Sequence, residues 1–269
     1  NVKTRNWKDY KTIDKVFYDK SSEANDTLSL ARYYRIKGSY FRNIESYDSS
    51  YYFYSKSERM YIKLNKNEEL AYVLFNKAFV EADYADYLAA DLSLSKSLLL
   101  SKNSNDYKLI YDILNNYGNI NHNLKEYQLA IKCHKQALAV FKERNIKDNS
   151  GRNLNLLSAT LNNIGNSYRE MGNYEKAIYY FNKALREELK TKKDPEIQAY
   201  IYNNLGYVYL QQKNYTKLPF LFEKASKIFD SIGEKNESAI GNMYLSDYYL
   251  QKNDTTSTIK FSEKALQLI

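Results

Sequence analysis

A small residue recurs along this chain at an almost constant interval, and this regularity constrains the fold more than any other feature. Successive positions lie 40, 40, 47, 41 and 40 residues apart. We call them the anchors: Gly38, Ala78, Gly118, Gly165, Gly206 and Ser246. Self-similarity with a period of about 20–50 residues is typical of stacked supersecondary units, so the spacing predicts a repeat protein.

Three further columns hold at fixed distances from the anchors. Nine residues after them come Tyr47, Tyr87, Tyr127, Tyr174, Tyr215 and Thr255. Twelve residues after them come Ser50, Ala90, Ala130, Ala177, Leu218 and Thr258. Nineteen residues after them come Ser57, Ser97, Ala137, Ala184, Ala225 and Ala265. The last two columns are two helical turns apart, so they predict one small-residue face of a helix.

The composition favours helices joined by short turns. Gly and Pro number 8 and 2, whereas average usage gives roughly 32 residues for this length. This scarcity argues against a hairpin-rich β fold. A hydrophobic content of 43% with 15% aromatic residues argues against a disordered chain. The sequence has no run of apolar residues long enough to predict a membrane helix, and we interpret the net charge of +8 as a solvated surface.

One segment shows the repeating unit in full: Leu161, Gly165 and Tyr168, then Tyr174, Ala177, Phe181 and Ala184. It resembles the tetratricopeptide repeat, a pair of antiparallel helices, A and B, that cross at small residues. The long period is similar to that of kinesin light chains and Rap-type regulators of bacilli. The resemblance implies an all-α fold, a right-handed α-solenoid of six helix pairs over residues 28–269. Residues 1–27 are then a capping helix or the remnant of a preceding repeat.

The chain departs from this pattern at a few positions. Glu81 and Asn121 stand where an aromatic residue is usual, and the dipeptide Leu218-Pro219 replaces the usual Ala inside helix B. Proline is tolerated in the first turn of a helix. Seven surplus residues within 144–156 predict either a longer loop or two added helical turns.

No catalytic or metal-binding pattern stands out, so we expect no enzyme and no cofactor. His134 falls sixteen residues after its anchor, where other repeats carry Tyr54, Leu94, Phe181 and Phe222, which predicts a packed core histidine. Cys133 precedes it directly, and adjacent side chains diverge on a helix, so we predict no metal site there. A single cysteine forms no internal disulfide, and it suits a cytoplasmic or a periplasmic protein.

Asparagine recurs on one face of helix A, away from the anchor. The candidate groove residues are Asn76, Asn115, Asn116, Asn119, Asn162, Asn163, Asn166, Asn203 and Asn204, with Tyr207 as an apolar contact. A carboxamide both donates and accepts, as a peptide unit does, so such a ladder can hold an extended peptide by its backbone. In the resembling family this face lines the concave groove. The alternative is that the amides bridge neighbouring helices or face water.

The first repeat carries arginine at comparable offsets, namely Arg32, Arg35 and Arg42. Because the guanidinium fork matches a carboxylate, this pattern predicts a cationic end of the groove that prefers an acidic residue or a C-terminal carboxylate. The alternative is that these are scattered surface arginines.

We therefore expect a non-catalytic module that binds a peptide or protein segment. Its pattern looks like the sensory regions of bacterial signalling or transcription-regulating proteins, notably of the Bacteroidetes group. We expect no direct nucleic-acid binding by this region. The apolar end at Leu266 and Ile269 leads us to expect a further element after it, since solenoid ends are normally capped. The alternative function is a scaffold that forms a homodimer through its C-terminal repeat.

Overall fold

The computed structural model describes residues 18–19, 26–144, 146, 154–191 and 194–269. The chain divides into two compact units, Asn1–Val140 and Phe141–Ile269. Almost all of the helix predicted within residues 1–27 lies outside the described residues. The linker predicted as a loop or as added helical turns also lies mostly outside them.

Within residues 27–143, six helices form three consecutive antiparallel pairs. They are α1 (Thr27–Asn43), α2 (Tyr47–Lys63), α3 (Asn67–Asp83), α4 (Tyr87–Ser101), α5 (Tyr107–Asn123) and α6 (Tyr127–Glu143). Three more pairs follow, made by α7 (Leu154–Glu170), α8 (Tyr174–Thr191), α9 (Pro195–Gln211), α10 (Leu218–Ile232), α11 (Lys235–Gln251) and α12 (Thr255–Leu266). The described residues contain no strand, and the predicted all-α fold is confirmed. Odd-numbered helices are helix A of each pair, and even-numbered helices are helix B.

The anchors lie where helices A and B cross, and all six are buried. Each faces the residue sixteen positions later on helix B. A Cβ placed on Gly206 would lie 2.7 Å from Phe222 Cε1, which is closer than real atoms approach. Glycine therefore lets an aromatic ring of helix B lie directly against the backbone of helix A.

The small-residue columns of helix B are buried as predicted, except at Thr258, which is half-buried. Ala137, Ala184 and Ala225 are fully buried. Where the column carries serine, the hydroxyl finds a backbone partner on the paired helix A. Ser57 Oγ donates to the Ala31 carbonyl at 2.8 Å, and Ser97 Oγ donates to the Ala71 carbonyl at 2.7 Å. Burying these two hydroxyls therefore costs little free energy, because each of them makes a hydrogen bond.

The turn from helix A to helix B has one recurring backbone conformation. Seven residues after each anchor, φ is positive: at Glu45, Ala85, Lys125, Gly172, Lys213 and Asn253. Two residues later helix B begins, at the predicted aromatic column in the first four pairs. In the fifth pair a 3₁₀ turn, Tyr215–Lys217, comes first and α10 begins at Leu218. Pro219 explains the delay, because it has no N–H to donate to the preceding turn.

Candidate functional site

The predicted groove residues of the first repeat are partly engaged by other side chains. Arg42 Nε lies 3.1 Å from Asp83 Oδ2, and its guanidinium lies 4.5 Å from the centre of the Phe79 ring. The ion pair joins α1 to α3. Arg32 is exposed and Arg35 is half-buried. The predicted cationic end therefore contains one arginine that already has a carboxylate partner.

A small cleft of about 230 Å³ lies beside this ion pair. Its lining includes Ser39, Arg42, Asn76 and Asp83, with Tyr54 at its side. Two of the predicted site residues, Arg42 and Asn76, are thus brought together in one concavity between α1 and α3. The cleft can accept both a donor and an acceptor group from a ligand.

The asparagines of α3 and α5 point in two directions. Asn76 Nδ2 donates to the Tyr72 carbonyl at 2.6 Å, and Asn116 Nδ2 donates to the Asp112 carbonyl at 2.8 Å. Both bonds lie within one helix. Asn115 instead pairs with helix B, since its Oδ1 lies 3.1 Å from Nδ1 of His134. Asn115 therefore links α5 to α6, whereas the bond of Asn116 stays within α5.

The second unit contains a polar network between two neighbouring A helices. Arg169 Nη1 donates to Asn204 Oδ1 at 2.7 Å, and Asn204 Nδ2 donates to Asn162 Oδ1 at 3.0 Å. The Arg169 guanidinium also lies 5.2 Å from the centre of the Tyr207 ring. Four polar or aromatic side chains of α7 and α9 therefore form one continuous surface. The predicted amides Asn162 and Asn204 are part of it, and they join the two helices.

Two more amides of this region keep an unused acceptor. Asn166 Oδ1 and Asn203 Oδ1 are buried and have no hydrogen-bond partner among the described residues. Asn203 is only 9% exposed. Buried acceptors without partners are uncommon in native proteins, and each calls for an explanation such as a water or a ligand N–H. Asn163 and Asn119, which complete the predicted set, are half-buried.

His134 is buried, as predicted for a core residue, and the adjacent Cys133 is buried as well. Burial, and to a smaller extent the nearby His122, lowers the pKa of His134 to about 3. Burial also raises the pKa of the Cys133 thiol to about 11, so the thiolate needed for nucleophilic or metal chemistry is disfavoured. Within the described ranges, no group of His, Cys, Asp and Glu could hold a metal ion.

None of the helices that the structure describes is both long and apolar enough to cross a bilayer.

Two family models of the tetratricopeptide repeat match the chain, over residues 109–186 and 199–231. The first matched range contains the anchors Gly118 and Gly165, and the second contains Gly206. The chain therefore contains tetratricopeptide repeats in these two ranges. No curated protein sequence matches it.

Solved tetratricopeptide structures share the fold. The apo form of RapI has a TM-score of 0.71 at 18% identity, and the match covers 88% of this chain and 97% of RapI. A STAND signal-transduction ATPase with a tetratricopeptide repeat sensor, from Pyrococcus horikoshii, has a TM-score of 0.75 at 18% identity. That match covers 90% of this chain and 37% of the ATPase. The apo quorum sensor NprR from B. thuringiensis has a TM-score of 0.64 at 13% identity, and the match covers 93% of this chain and 80% of NprR. The fold is that of a protein-interaction module.

Sequence reasoning missed two residues of this tetratricopeptide surface. Arg169 lies four residues after its anchor, at the same offset as Arg42, so the column itself carried the signal. Asp83 was missed because its pairing with Arg42 depends on how closely α1 and α3 pack, which no spacing within one helix reveals.

Proposed function

We propose that this tetratricopeptide array is a non-catalytic module that binds an extended peptide or protein segment along its A helices. The groove residues are the asparagines named above, with Tyr207, Arg32, Arg35 and Arg42. In the second unit, Asn163 and Asn204 supply amides from two A helices. In the first unit, Asn116 supplies an amide from α5, and Arg42 and Asn76 line the cleft between α1 and α3.

The observation that carries this proposal is the polar surface shared by α7 and α9. Arg169, Asn204 and Asn162 form a connected chain of hydrogen bonds, and Asn166 keeps a buried acceptor unused. A peptide N–H group is a donor that this acceptor lacks. Each such bond contributes about 0.5–1.5 kcal/mol net, so several together give useful affinity without demanding a sequence.

Two of the similar solved structures support a role in signalling. NprR is a quorum sensor, and the Pyrococcus horikoshii protein carries a tetratricopeptide sensor. We infer that this chain serves as the sensor or interaction region of a bacterial signalling or transcription-regulating protein. Any kinase or DNA-binding output then lies outside these residues.

Peptide selection followed by calorimetry tests the proposal. A short peptide is selected from a display library against the immobilised chain and titrated into wild type and an Asn163→Ala/Asn204→Ala variant. We expect the variant to bind more weakly by roughly 1–3 kcal/mol. If no peptide is selected, or if the variant binds as tightly as wild type while unfolding more easily, the asparagines are helix braces and the proposal is wrong.

Self-association through the last repeat is the second candidate. It needs an apolar edge, and Met243 and Leu250 of α11 provide one. Asp247 lies between them, however, so two copies would place two carboxylates in one apolar contact, which is unfavourable. Sedimentation equilibrium decides between the candidates, because the groove proposal requires no dimer.

A further inference from the structure

Helix α4 presents a line of leucines on the side that faces away from the rest of the first unit. Leu88, Leu92 and Leu99 are 74%, 54% and 71% exposed. Their spacing places them on one side of the helix, in a line of roughly 16 Å. We call these three residues the crest. Single exposed apolar residues are ordinary, but a group of them on one surface indicates an interaction site.

The crest is not a surface that a neighbouring repeat covers. α4 is an interior helix, and its opposite side packs on both neighbours. Ser97 Oγ donates to the Ala71 carbonyl of α3, and Leu94 shares a core with Ile113 of α5.

The adjacent helix pairs show that stacking does not require leucine at these positions. The positions forty residues before and after the crest are exposed in the first and third pairs as well. They carry Asp48, Tyr52, Arg59, Gln128, Lys132 and Ala139. Repeat stacking therefore leaves this side of helix B uncovered, and the fold alone does not explain the leucines.

Cations lie on both sides of the crest. Arg59 of α2 and Lys132 of α6 occupy the crest positions of the adjacent pairs, and Lys96 lies four residues after Leu92 on α4 itself. All three cations are exposed. None of them forms an ion pair with a carboxylate among the residues that the structure describes.

The acidic side chains near the crest offset these cations only in part. The Glu58 carboxylate pairs with Lys77 of α3 at 2.8 Å. Asp48 accepts a hydrogen bond from the Tyr84 hydroxyl, and Asp91 is half-buried. A partner that covers the crest therefore meets apolar side chains at its centre and mainly positive charge around them.

This arrangement limits the occupant. A helix that binds between two helices needs apolar walls on both, whereas here the leucines lie on α4 alone and its neighbours present Arg59 and Lys132. A second copy would bring the same cations against them, and like charges at a contact repel. An anionic bilayer instead accepts apolar side chains just below its headgroups and attracts Lys and Arg at headgroup level.

We propose that the crest and its flanking cations dock the first unit on a membrane surface that contains anionic lipids. The three leucines enter the interface, and Arg59, Lys96 and Lys132 contact the lipid phosphates. The surface lies on B helices and contains none of the groove residues, so it stands apart from the proposed peptide site.

Cosedimentation of the full chain with lipid vesicles tests this proposal. Vesicles of phosphatidylcholine mixed with phosphatidylglycerol are compared with vesicles of phosphatidylcholine alone. We expect binding to the anionic vesicles only, and weaker binding as salt is raised, because salt screens the attraction. Leu92→Ser/Leu99→Ser should weaken this binding by roughly tenfold, with an unchanged melting temperature, since both side chains are exposed. Lys96→Glu/Lys132→Glu should weaken it as well.

Two matched variants of the second unit control for composition and net charge. Leu250→Ser/Leu266→Ser removes two leucines that are 62% and 74% exposed. Lys227→Glu/Lys235→Glu makes the same charge change at two exposed lysines. Both variants should bind the anionic vesicles as wild type does.

Equal binding to both kinds of vesicle, binding to neither, or binding that survives Leu92→Ser/Leu99→Ser would overturn the proposal. A chain that ignores vesicles but binds a synthetic helix with a leucine stripe and glutamate flanks would have a protein partner there, which would also overturn it. A dimer in sedimentation equilibrium that Leu92→Ser/Leu99→Ser dissociates would show that the occupant is a second copy, with the same consequence.

Discussion

Gly165 lies against the ring of Phe181, sixteen residues later: a Cβ on Gly165 would lie 2.5 Å from Phe181 Cε1. The residue at the anchor and the residue sixteen positions later vary together along the chain. Gly38 meets Tyr54 and Gly118 meets His134 in the same way, whereas Ala78 shares its core with Leu94. In the last repeat Ser246 Oγ and Ser262 Oγ share a hydrogen bond of 2.7 Å. The width of the helix crossing is thus set by a pair of residues.

This pairing predicts a rescue between two substitutions. Gly165→Ala should overpack the crossing and lower the free energy of unfolding by about 1–3 kcal/mol. Adding Phe181→Leu should restore part of that loss, because it recreates the combination of Ala78 and Leu94. Urea denaturation of the two single variants and the double variant measures the coupling. Additive losses would show that the two side chains do not limit each other.

The left-handed turns predict a stabilising substitution. Ala85 has φ 58°, a conformation that costs an L-residue roughly 1–2 kcal/mol. Ala85→Gly should therefore raise the melting temperature, although glycine gains entropy in the unfolded chain. Gly172→Ala is the matched reverse change, since Gly172 has φ 71° and a Cβ there meets nothing within 4 Å. A lower melting temperature for Ala85→Gly would contradict the backbone argument.

Buried His134 predicts a pH dependence of stability. Its pKa in the folded chain, about 3, is below the usual histidine value of 6.5, so only the unfolded chain gains the proton between these values. The stabilisation is complete above about pH 6.5 and falls as the pH drops toward 3.

The test is His134→Phe, which copies the pairs of Gly165 with Phe181 and Gly206 with Phe222. Between about pH 7 and about pH 5.5, wild type should lose about 1 kcal/mol more stability than the variant. His122→Gln, at a half-buried position, is the control. Parallel stability profiles for wild type and His134→Phe would show that this imidazole is not held neutral.

The ion pair of Arg42 with Asp83 predicts how charge affects the binding of an acidic peptide. Asp83→Asn should leave the Arg42 guanidinium available and strengthen binding of an acidic peptide by about threefold at low salt. The gain should vanish near 1 M salt, where screening acts over about 3 Å. Asp91→Asn, which makes the same charge change on a B helix, should have no such effect. An equal gain in both variants would indicate a general charge effect and no local one.

The helix pairs follow from the sequence because one small residue per crossing and one small-residue face per helix B suffice to define them. The burial of Ala137, Ala184 and Ala225 confirms these columns. The left-handed turns could not be predicted from the sequence, since only Gly172 among the six equivalent positions is a glycine. The proline at 219 shifted the start of one helix by a 3₁₀ turn.

The site is less predictable than the fold. Helical periodicity places asparagines on a shared face, but it does not say whether an amide turns to a neighbouring helix or away from it. Asn115 contacts His134, and Asn204 joins Asn162 to Arg169. The hydrogen-bond partner of each amide depends on the distances between helices, which cannot be read directly from the sequence.

Comparison of Asn166→Ala with Asn204→Ala shows whether the asparagines hold a peptide or brace the helices. Asn166 Oδ1 has no hydrogen-bond partner among the described residues, whereas Asn204 joins Asn162 to Arg169. Calorimetric titration of the selected peptide and thermal unfolding are measured on both variants. If the asparagines hold a peptide, Asn166→Ala weakens binding by about 0.5–1.5 kcal/mol with an unchanged melting temperature, and Asn204→Ala lowers both the affinity and the melting temperature. Unchanged affinity in Asn166→Ala, with stability lost in Asn204→Ala alone, would contradict the peptide-binding proposal.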